Sequence, residues 1–400
     1  MSPLSVAYGA SFHCIGPACE DLCCRQWEIP VDAGTYKQWM QIAPTQLRER
    51  ITRLVTIEPR PSSPAMFASI ERDSSGDCSF LELDSLCSIQ SQMGPRLLPA
   101  ACSIYPRSLA HVNGRMEVAL SLSCPEATRK VLLREQFEFV AEDPAWESFR
   151  TDNAFRLQTR KGLQNMDLIF DGVRRAVIEC IRDRSEPLET RVVRIGAFCI
   201  DLDVASTVAE VIAACSRLAE KIAPPPIDVV SDTRAKIRMA FDLSALQIDD
   251  PSAVRLAEVF LWFAQGLAVQ KSETESFLLA EREYAMPFFA ARPHLLENLL
   301  LNHVLQTLFP FGREGSGDFF TRNSWEEYVQ MAMRFTWVRT LLTGAVGCFR
   351  TEFSETHVVQ VVQSLTRAIE HYPQVLASLR DYLDMRRMDN LQGIASLVVY

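Results

Sequence analysis

Residues 14–24 read CIGPACEDLCC, four cysteines in eleven positions, spaced Cys14-x4-Cys19-x3-Cys23-Cys24. Such a run serves a disulfide framework, a metal site, a redox motif or plain core filling. Working outward, four more cysteines follow before residue 125: Cys78, Cys87, Cys102 and Cys124. Their neighbours are turn formers. Cys78 follows Asp-Ser-Ser-Gly-Asp, Cys102 precedes Ser-Ile-Tyr-Pro-Arg, and Pro125 follows Cys124 directly. Turns let thiolates converge on one point from separate backbone segments, whereas core-filling cysteines sit in periodic apolar runs. Cys180, Cys199, Cys215 and Cys348 have the second kind of context and read as small core residues.

The chain has 400 residues, a net charge of −9 and 48% hydrophobic residues. The length exceeds one ordinary core and the acidic balance argues against a nucleic-acid binder. No apolar run approaches the roughly 20 residues of a bilayer span, so membrane insertion is not expected. The first residues show no basic and apolar leader pattern, which places the chain in the cytoplasm. Thiols stay reduced there, which disfavours disulfides. The N-terminal cysteines therefore read as metal ligands. Zinc favours Cys-x2-Cys knuckles or Cys and His at set spacing, and only His13 and His111 occur in this region. An irregular all-thiolate set fits an iron–sulfur cluster better, with zinc the alternative. Adjacent Cys23 and Cys24 diverge, so one is a ligand while the other packs or serves a second site. Eight thiols supply two four-thiolate sites, or one site and four structural thiols.

Beyond residue 131 the pattern is helical. Leu296, Leu299, Leu300, Val304 and Leu308 make one apolar stripe over 294–309, and Val358, Val359, Val362, Leu365 and Ile369 make another over 356–369. Segments 165–184, 204–222, 252–270 and 324–343 read similarly, and Pro224, Pro225 and Pro226 break the series. No strand leads into a G-x-G-x-x-G turn, so a dinucleotide-type methyltransferase domain is not expected. The fold expected is mainly α: a Cys-rich metal-binding domain with short strands and loops over 1–130, then an all-helical domain over 131–400, possible to subdivide near 223–227. The loop Gly312 to Asp318 (GREGSGD) is either a plain interhelix connection or a backbone cradle for an anion or adenosine. Asn302 and His303, one turn earlier, either line a pocket or are satisfied locally. His111 reads as a turn neighbour and Trp27 as a cover over the thiols.

The segments CIGPACEDLCCRQWEIPVD, CSFLELDSLCSIQ, CSIYPRS and SLSCPEA, in that order, resemble the N-terminal part of bacterial flagellin lysine N-methylases. More loosely they resemble CxxCxxCC-type domains described as zinc- or iron-chelating. NHVLQTLFPFG at 302–312 resembles a late segment of the same methylases. The resemblance covers about residues 8–130 and 298–317. It implies methyl transfer from S-adenosylmethionine to flagellin lysine ε-amines, with a 4Fe-4S cluster required. It carries over Cys14, Cys19, Cys23, Cys24, Cys78, Cys87, Cys102 and Cys124 as the cysteine set, four of them expected to ligate one cluster. Tyr105, Pro106 and Arg107 match the segment after the seventh cysteine, and Phe309, Pro310 and Phe311 match the late segment. The motif departs from the usual radical S-adenosylmethionine pattern, because Cys24 follows Cys23 directly.

Methyl transfer needs a neutral amine, and lysine's ordinary pKa of about 10.4 calls for a nearby base. Tyr105 is the candidate base, with packing beside the metal site as its other reading. Arg107, Gly312 and Gly315 are candidate contacts to the cofactor. The competing function is a non-catalytic iron–sulfur or zinc module: a sensor, carrier or scaffold.

Overall fold

A computed structural model of the chain describes residues 5–25, 29–140, 155–157, 166–221, 226, 228–245, 253–312, 323–371 and 373–400. The chain starts with a two-residue strand β1 (Ser5–Val6) and a single turn α1 (Ala7–Ala10). A small lobe follows: β2 (Ile29–Val31), α2 (Ala33–Ile42), α3 (Thr45–Leu54), β3 (Val55–Ile57), β4 (Ala68–Ile70), α4 (Ser88–Met93) and α5 (Ala100–Ile104). Its antiparallel sheet has the order β2-β4-β3. Asp32 caps α2 by accepting from the Thr35 amide at 2.8 Å. The lobe has its own buried cluster, including Ile29, Val31, Trp39, Leu47, Ile51, Phe80, Ile89 and Leu98. The Trp39 indole inside it donates to the Leu97 carbonyl at 2.7 Å, which removes the cost of burying that N–H.

A hairpin then joins β5 (Arg107–Val112) to β6 (Arg115–Leu120). Its turn, Asn113-Gly114, has φ of +50° and +81°, the conformation that a two-residue turn matching strand twist requires. After α6 (Pro125–Leu132) come β7 (Phe139–Val140), paired with β1, and β8 (Phe155–Leu157), parallel to β5. The expectation of helices alone beyond residue 131 is thus corrected: two short strands come first, because β1 and β5 present edges to pair.

The remaining helices are α7 (Met166–Arg182), α8 (Leu188–Val204), α9 (Val208–Leu218), α10 (Val229–Ser244), α11 (Val254–Leu267), α12 (Glu273–Ala280), α13 (Met286–Ala290), α14 (His294–Thr307), α15 (Ser324–Phe349), α16 (Glu355–His371), α17 (Pro373–Arg386) and α18 (Leu391–Val398). The chain is mainly helical, as its periodicity predicts. α9 carries a full capping box, Thr207 with Glu210. α10 starts at Val229, beyond the proline run, of which Pro224 and Pro225 lie outside the described residues.

α15 is buried nearly all round and packs against α8, α10, α11, α12, α16 and α18. Its closest neighbour is α11. A Cβ on Gly266 would lie 1.9 Å from the Gly344 carbonyl oxygen, and one on Gly344 would lie 2.3 Å from the Phe263 ring. The two glycines let the backbones touch. The second buried cluster runs from Val6 to Val398 and takes in β5, β6 and α6 with the helices. Arg174 of α7 forks onto Glu117 of β6 at 2.9 and 3.0 Å with both side chains sealed from solvent, which fixes the hairpin to the bundle. No helix among the described residues is long and apolar enough to cross a membrane.

Candidate metal centre and the polar chain beside it

The Cys14–Cys24 segment is irregular because Gly16 takes φ +56° and starts a single 3-10 turn. That turn brings the Cys19 amide to the Gly16 carbonyl at 2.9 Å. Cys24 is tied to the lobe by backbone: its carbonyl accepts from the Cys78 amide at 2.8 Å. Further bridges pair Arg25 with Asp77 and Leu81 with Cys87. Cys87 and Cys124 stand one residue before α4 and α6, and Cys102 lies in α5. None of the twelve cysteines is in a disulfide.

The eight thiols fall into two neighbourhoods. Cys24, Cys78, Cys87 and Cys102 all pack in the lobe's buried cluster, and Cys102 feels the charges of the other three. Cys14, Cys19 and Cys124 form the other group, with Cys124 feeling Cys19 and Cys14. Cys23 feels Cys14 and also Cys102, which places it on the junction side of the seam between the groups. The Cys23 and Cys24 side chains nevertheless hydrogen-bond to each other, so the divergence expected of neighbouring side chains is not seen and this pair joins the two groups. Burial pushes the Cys78 and Cys124 thiols up to about 12. Among the described residues, no three His, Cys, Asp or Glu side chains stand close enough to hold one metal ion. Cys180 and Cys199 are buried core residues as read from sequence, while Cys348 is half-buried with its thiol 3.3 Å from the Gln265 amide oxygen.

Polar side chains lock the junction group onto the bundle. Asp21, between Cys19 and Cys23, accepts from Arg367 at 2.5 Å and from Gln363 at 2.6 Å, both on α16. Gln363 also donates to the Ser123 carbonyl at 3.0 Å, one residue before Cys124. Glu20 pairs with Arg129 of α6.

Tyr105 lies beside this group, where it feels Cys124 and Cys23. Its hydroxyl stands 3.1 Å from Ser123 Oγ, which is 2.6 Å from Ser121 Oγ, which donates to Glu370 Oε2 at 2.5 Å. A carboxylate only accepts, so the protons run one way, from Tyr105 through Ser123 and Ser121 to Glu370. Burial, aided by the nearby thiols, holds the Tyr105 pKa well above the usual tyrosine value. The phenol is therefore held in its protonated form, donating towards Ser123. Gln306 of α14 donates to the other Glu370 oxygen at 2.7 Å, and Asn302 donates to the Leu120 carbonyl at 2.8 Å.

Beyond Glu370 lies a cavity between α14, α15 and α16, about 30 Å³ in volume. Asn302 and His303 both line it, and Asn302 is at the same time satisfied by the Leu120 backbone, so both alternatives hold for that residue. His303 Nε2 and Arg334 Nε have no hydrogen-bond partner. The other sequence candidates sit elsewhere. Arg107 donates to the Gly9 carbonyl at 2.9 Å and to the Phe12 carbonyl at 2.6 Å, clasping the N-terminal turn. Gly312 has φ +71°, and a Cβ there would strike the Glu327 carboxylate. Gly315 and Trp27 lie outside the described residues. His111 stands in β5 opposite Met116, two residues before the turn. The residues that sequence reasoning missed are Asp21, Ser121, Ser123, Gln306, Arg334, Gln363, Arg367 and Glu370. The only local signal was the pair of serines flanking Leu122 just before Cys124.

A helical bundle joined to a cysteine lobe defines the class: an α-helical protein with a thiol-rich junction. Residues 174–397, more than half of the chain, match the family described as the FliB lysine N-methylase C-terminal domain, and the chain belongs to that family. It is 32% identical over 127 residues to a lysine-N-methylase of Salmonella typhimurium, covering 32% of this chain and 31% of that one. It is 31% identical over 127 residues to the flagellar biosynthetic protein FliU of Salmonella muenchen, covering 32% of this chain and 74% of that one. The chain thus spans about a third of the length of the lysine-N-methylase. No solved structure matches.

Proposed function

We propose that this chain is a protein-lysine N-methyltransferase that takes its methyl group from S-adenosylmethionine and acts on flagellin lysine ε-amines. The observation that carries the reading is the match of the helical bundle, residues 174–397, to a domain of lysine N-methylases. The flagellar name of one relative supports flagellin as the substrate. A sulfonium donor supplies an electrophilic methyl, and this chain's task is to present an unprotonated amine in line with it and keep water out.

An iron–sulfur cluster held by the cysteine set is part of the same proposal. What supports it is the donor chemistry: every candidate ligand is a cysteine, a soft ligand when ionised, and the thiols come from turns and helix starts, although no three of the side chains gather together among the described residues. Cys24, Cys78, Cys87 and Cys102 would hold a lobe cluster, and Cys14, Cys19, Cys23 and Cys124 a junction cluster. Zinc is the alternative metal. The junction group is the one connected to α16 and the polar chain, so it is the one able to influence the site.

The test is methyl transfer from labelled S-adenosylmethionine to purified flagellin by anaerobically prepared protein. Incorporation on lysine is expected, from a brown preparation that contains iron and sulfide. No transfer by protein with an intact cluster would leave the non-catalytic module as the reading.

A further inference from the structure

The turn that ends the cysteine segment brings two thiols into contact. The Arg25 amide donates to the Leu22 carbonyl at 3.2 Å, which closes a β-turn with Cys23 and Cys24 as its two central residues. Neighbouring side chains point apart along an extended strand, but this turn brings them together, and the Cys23 and Cys24 side chains hydrogen-bond to each other. The other two thiols of the segment are engaged with backbone. Cys14 Sγ accepts from the Gly16 amide at 3.4 Å, and Cys19 Sγ donates to the Asp21 carbonyl at 3.3 Å. Among the described residues no third His, Cys, Asp or Glu side chain closes on the pair to hold a metal ion. The turn is fastened on both sides. Asp21 pairs with Arg367 of the bundle, the Arg25 side chain pairs with Asp77 of the lobe at 3.3 Å, and Arg367 donates to the Arg25 carbonyl at 3.1 Å. Both cysteines are half-buried, on the seam rather than in the core.

We propose that Cys23 and Cys24 are a peroxide-sensitive dithiol that closes into a disulfide within this turn. One thiol attacks the peroxide: its S–O bond forms, the O–O bond breaks and water leaves. The neighbouring thiol then displaces the hydroxyl of that sulfenic acid: the S–S bond forms, the S–O bond breaks and a second water leaves. The pair gives up two electrons and two protons, and the peroxide is reduced to two waters. A sulfenic acid with a resolving thiol already beside it is captured as a reversible disulfide before it is oxidised further. Reversal is also built in. The peptide between the two residues is trans, which sets their Cα atoms about 3.8 Å apart. Ordinary disulfides span about 4.4–6.8 Å, so this ring is strained and a small dithiol reopens it. Position gives the bond its consequence. Cys23 feels Cys14 and Cys102, while Cys24 packs with Cys78, Cys87 and Cys102. Closing the ring withdraws one thiol from each group in a single two-electron step. The inference stands independently of methyl transfer and adds a reversible modification at the seam of the two groups.

The full-length protein, prepared anaerobically and treated with a chelator, is exposed to one equivalent of hydrogen peroxide, and the thiols that remain are alkylated. The expected result is the loss of two alkylatable thiols, restored by dithiothreitol, with tandem mass spectrometry placing the bond between Cys23 and Cys24. A first disulfide that joins any other pair of cysteines, or oxidation that dithiothreitol does not reverse, would overturn the proposal. Two variants separate the pair from general thiol reactivity. Cys24→Ser should lose the two-thiol step, and dimedone, which traps sulfenic acids, should then label Cys23. Cys180→Ser, which alters a core thiol of α7, should keep the step as in wild type. The two-thiol step persisting in Cys24→Ser, or vanishing equally in both variants, would show that the turn does not set this chemistry.

Discussion

The contact between Asp21 and Arg367 joins the thiol-bearing segment to the helical bundle, and its removal has a calculable cost. The two side chains are 6% and 13% exposed, their atoms are 2.5 Å apart, and Gln363 donates to the second Asp21 oxygen at 2.6 Å. Asp21→Ala deletes two hydrogen bonds to a charged acceptor, each worth about 1.5–3 kcal/mol in such settings. Breaking a buried pair costs about 3–5 kcal/mol when the stranded charge is sealed. Arg367 keeps one bond, to the Arg25 carbonyl at 3.1 Å, and has some solvent access, so about 3 kcal/mol is the expected loss. The assay is urea unfolding under anaerobic conditions, read as a midpoint shift at constant slope. A double-mutant cycle with Arg367→Ala isolates the pair, with a coupling of about 2 kcal/mol expected. Because Asp21 lies between Cys19 and Cys23, the variant should also release metal from the junction thiols to a chelator faster than wild type. A coupling below about 0.5 kcal/mol is what an ordinary surface pair gives, and would refute the claim that this contact fastens the segment.

Three further outcomes follow from the same structure. If the proposed lobe and junction clusters both form, Cys23→Ser and Cys24→Ser should each remove about half of the bound metal; loss of all metal in either variant alone would merge the sets. Gly266→Ala places a methyl 1.9 Å from a backbone oxygen and should cost about 2–3 kcal/mol or more, whereas Gly172→Ala, with nothing within 4 Å, should stabilise α7 by about 0.5–1 kcal/mol; equal effects in thermal melts would mean that α11 and α15 do not touch as described. Burial lowers the pKa of Lys236 to about 8 despite its bond to the Val399 carbonyl. Between about pH 8 and the ordinary lysine value of about 10.4 the unfolded chain holds a proton that the folded chain lacks, so stability rises with pH in that window. Wild type should gain about 3 kcal/mol on Lys236→Met across it, and a constant difference over that range would show that the ammonium is not desolvated.

Much of the fold was legible because it is local. The apolar stripe of 294–309 became α14 (His294–Thr307), and that of 356–369 became α16 (Glu355–His371). Segment 324–343 ends six residues short of α15, and the residues it leaves out include Gly344 and Gly347. Packing against α11 is what selects glycine there, and the helix continues through them. The strands beyond residue 131 were missed for a different reason. A two- or three-residue strand carries no periodicity of its own, and only the open edges of β1 and β5 pick it out.

The site divides along the same line. Side-chain chemistry and turn context single out eight thiols, whereas the alternation of neighbours along a backbone fails for Cys23 and Cys24, whose side chains meet. Both are properties of short range, which a sequence displays. Which thiols gather together depends on the bridge from Cys24 to Cys78 and on α5 and α6 delivering Cys102 and Cys124, contacts made across 54 to 110 residues of chain. Glu370 and Gln306 have no spacing relation to the two serines; α14, α16 and the segment after β6 bring them into one polar chain. The sequence by itself determined the helical class and the family and singled out the eight N-terminal thiols, because each is encoded in residue type and local period. Only the tertiary structure decided the partition of the thiols, the direction of the hydrogen-bonded chain and the cavity at its end, because those depend on distances between segments that no local pattern records.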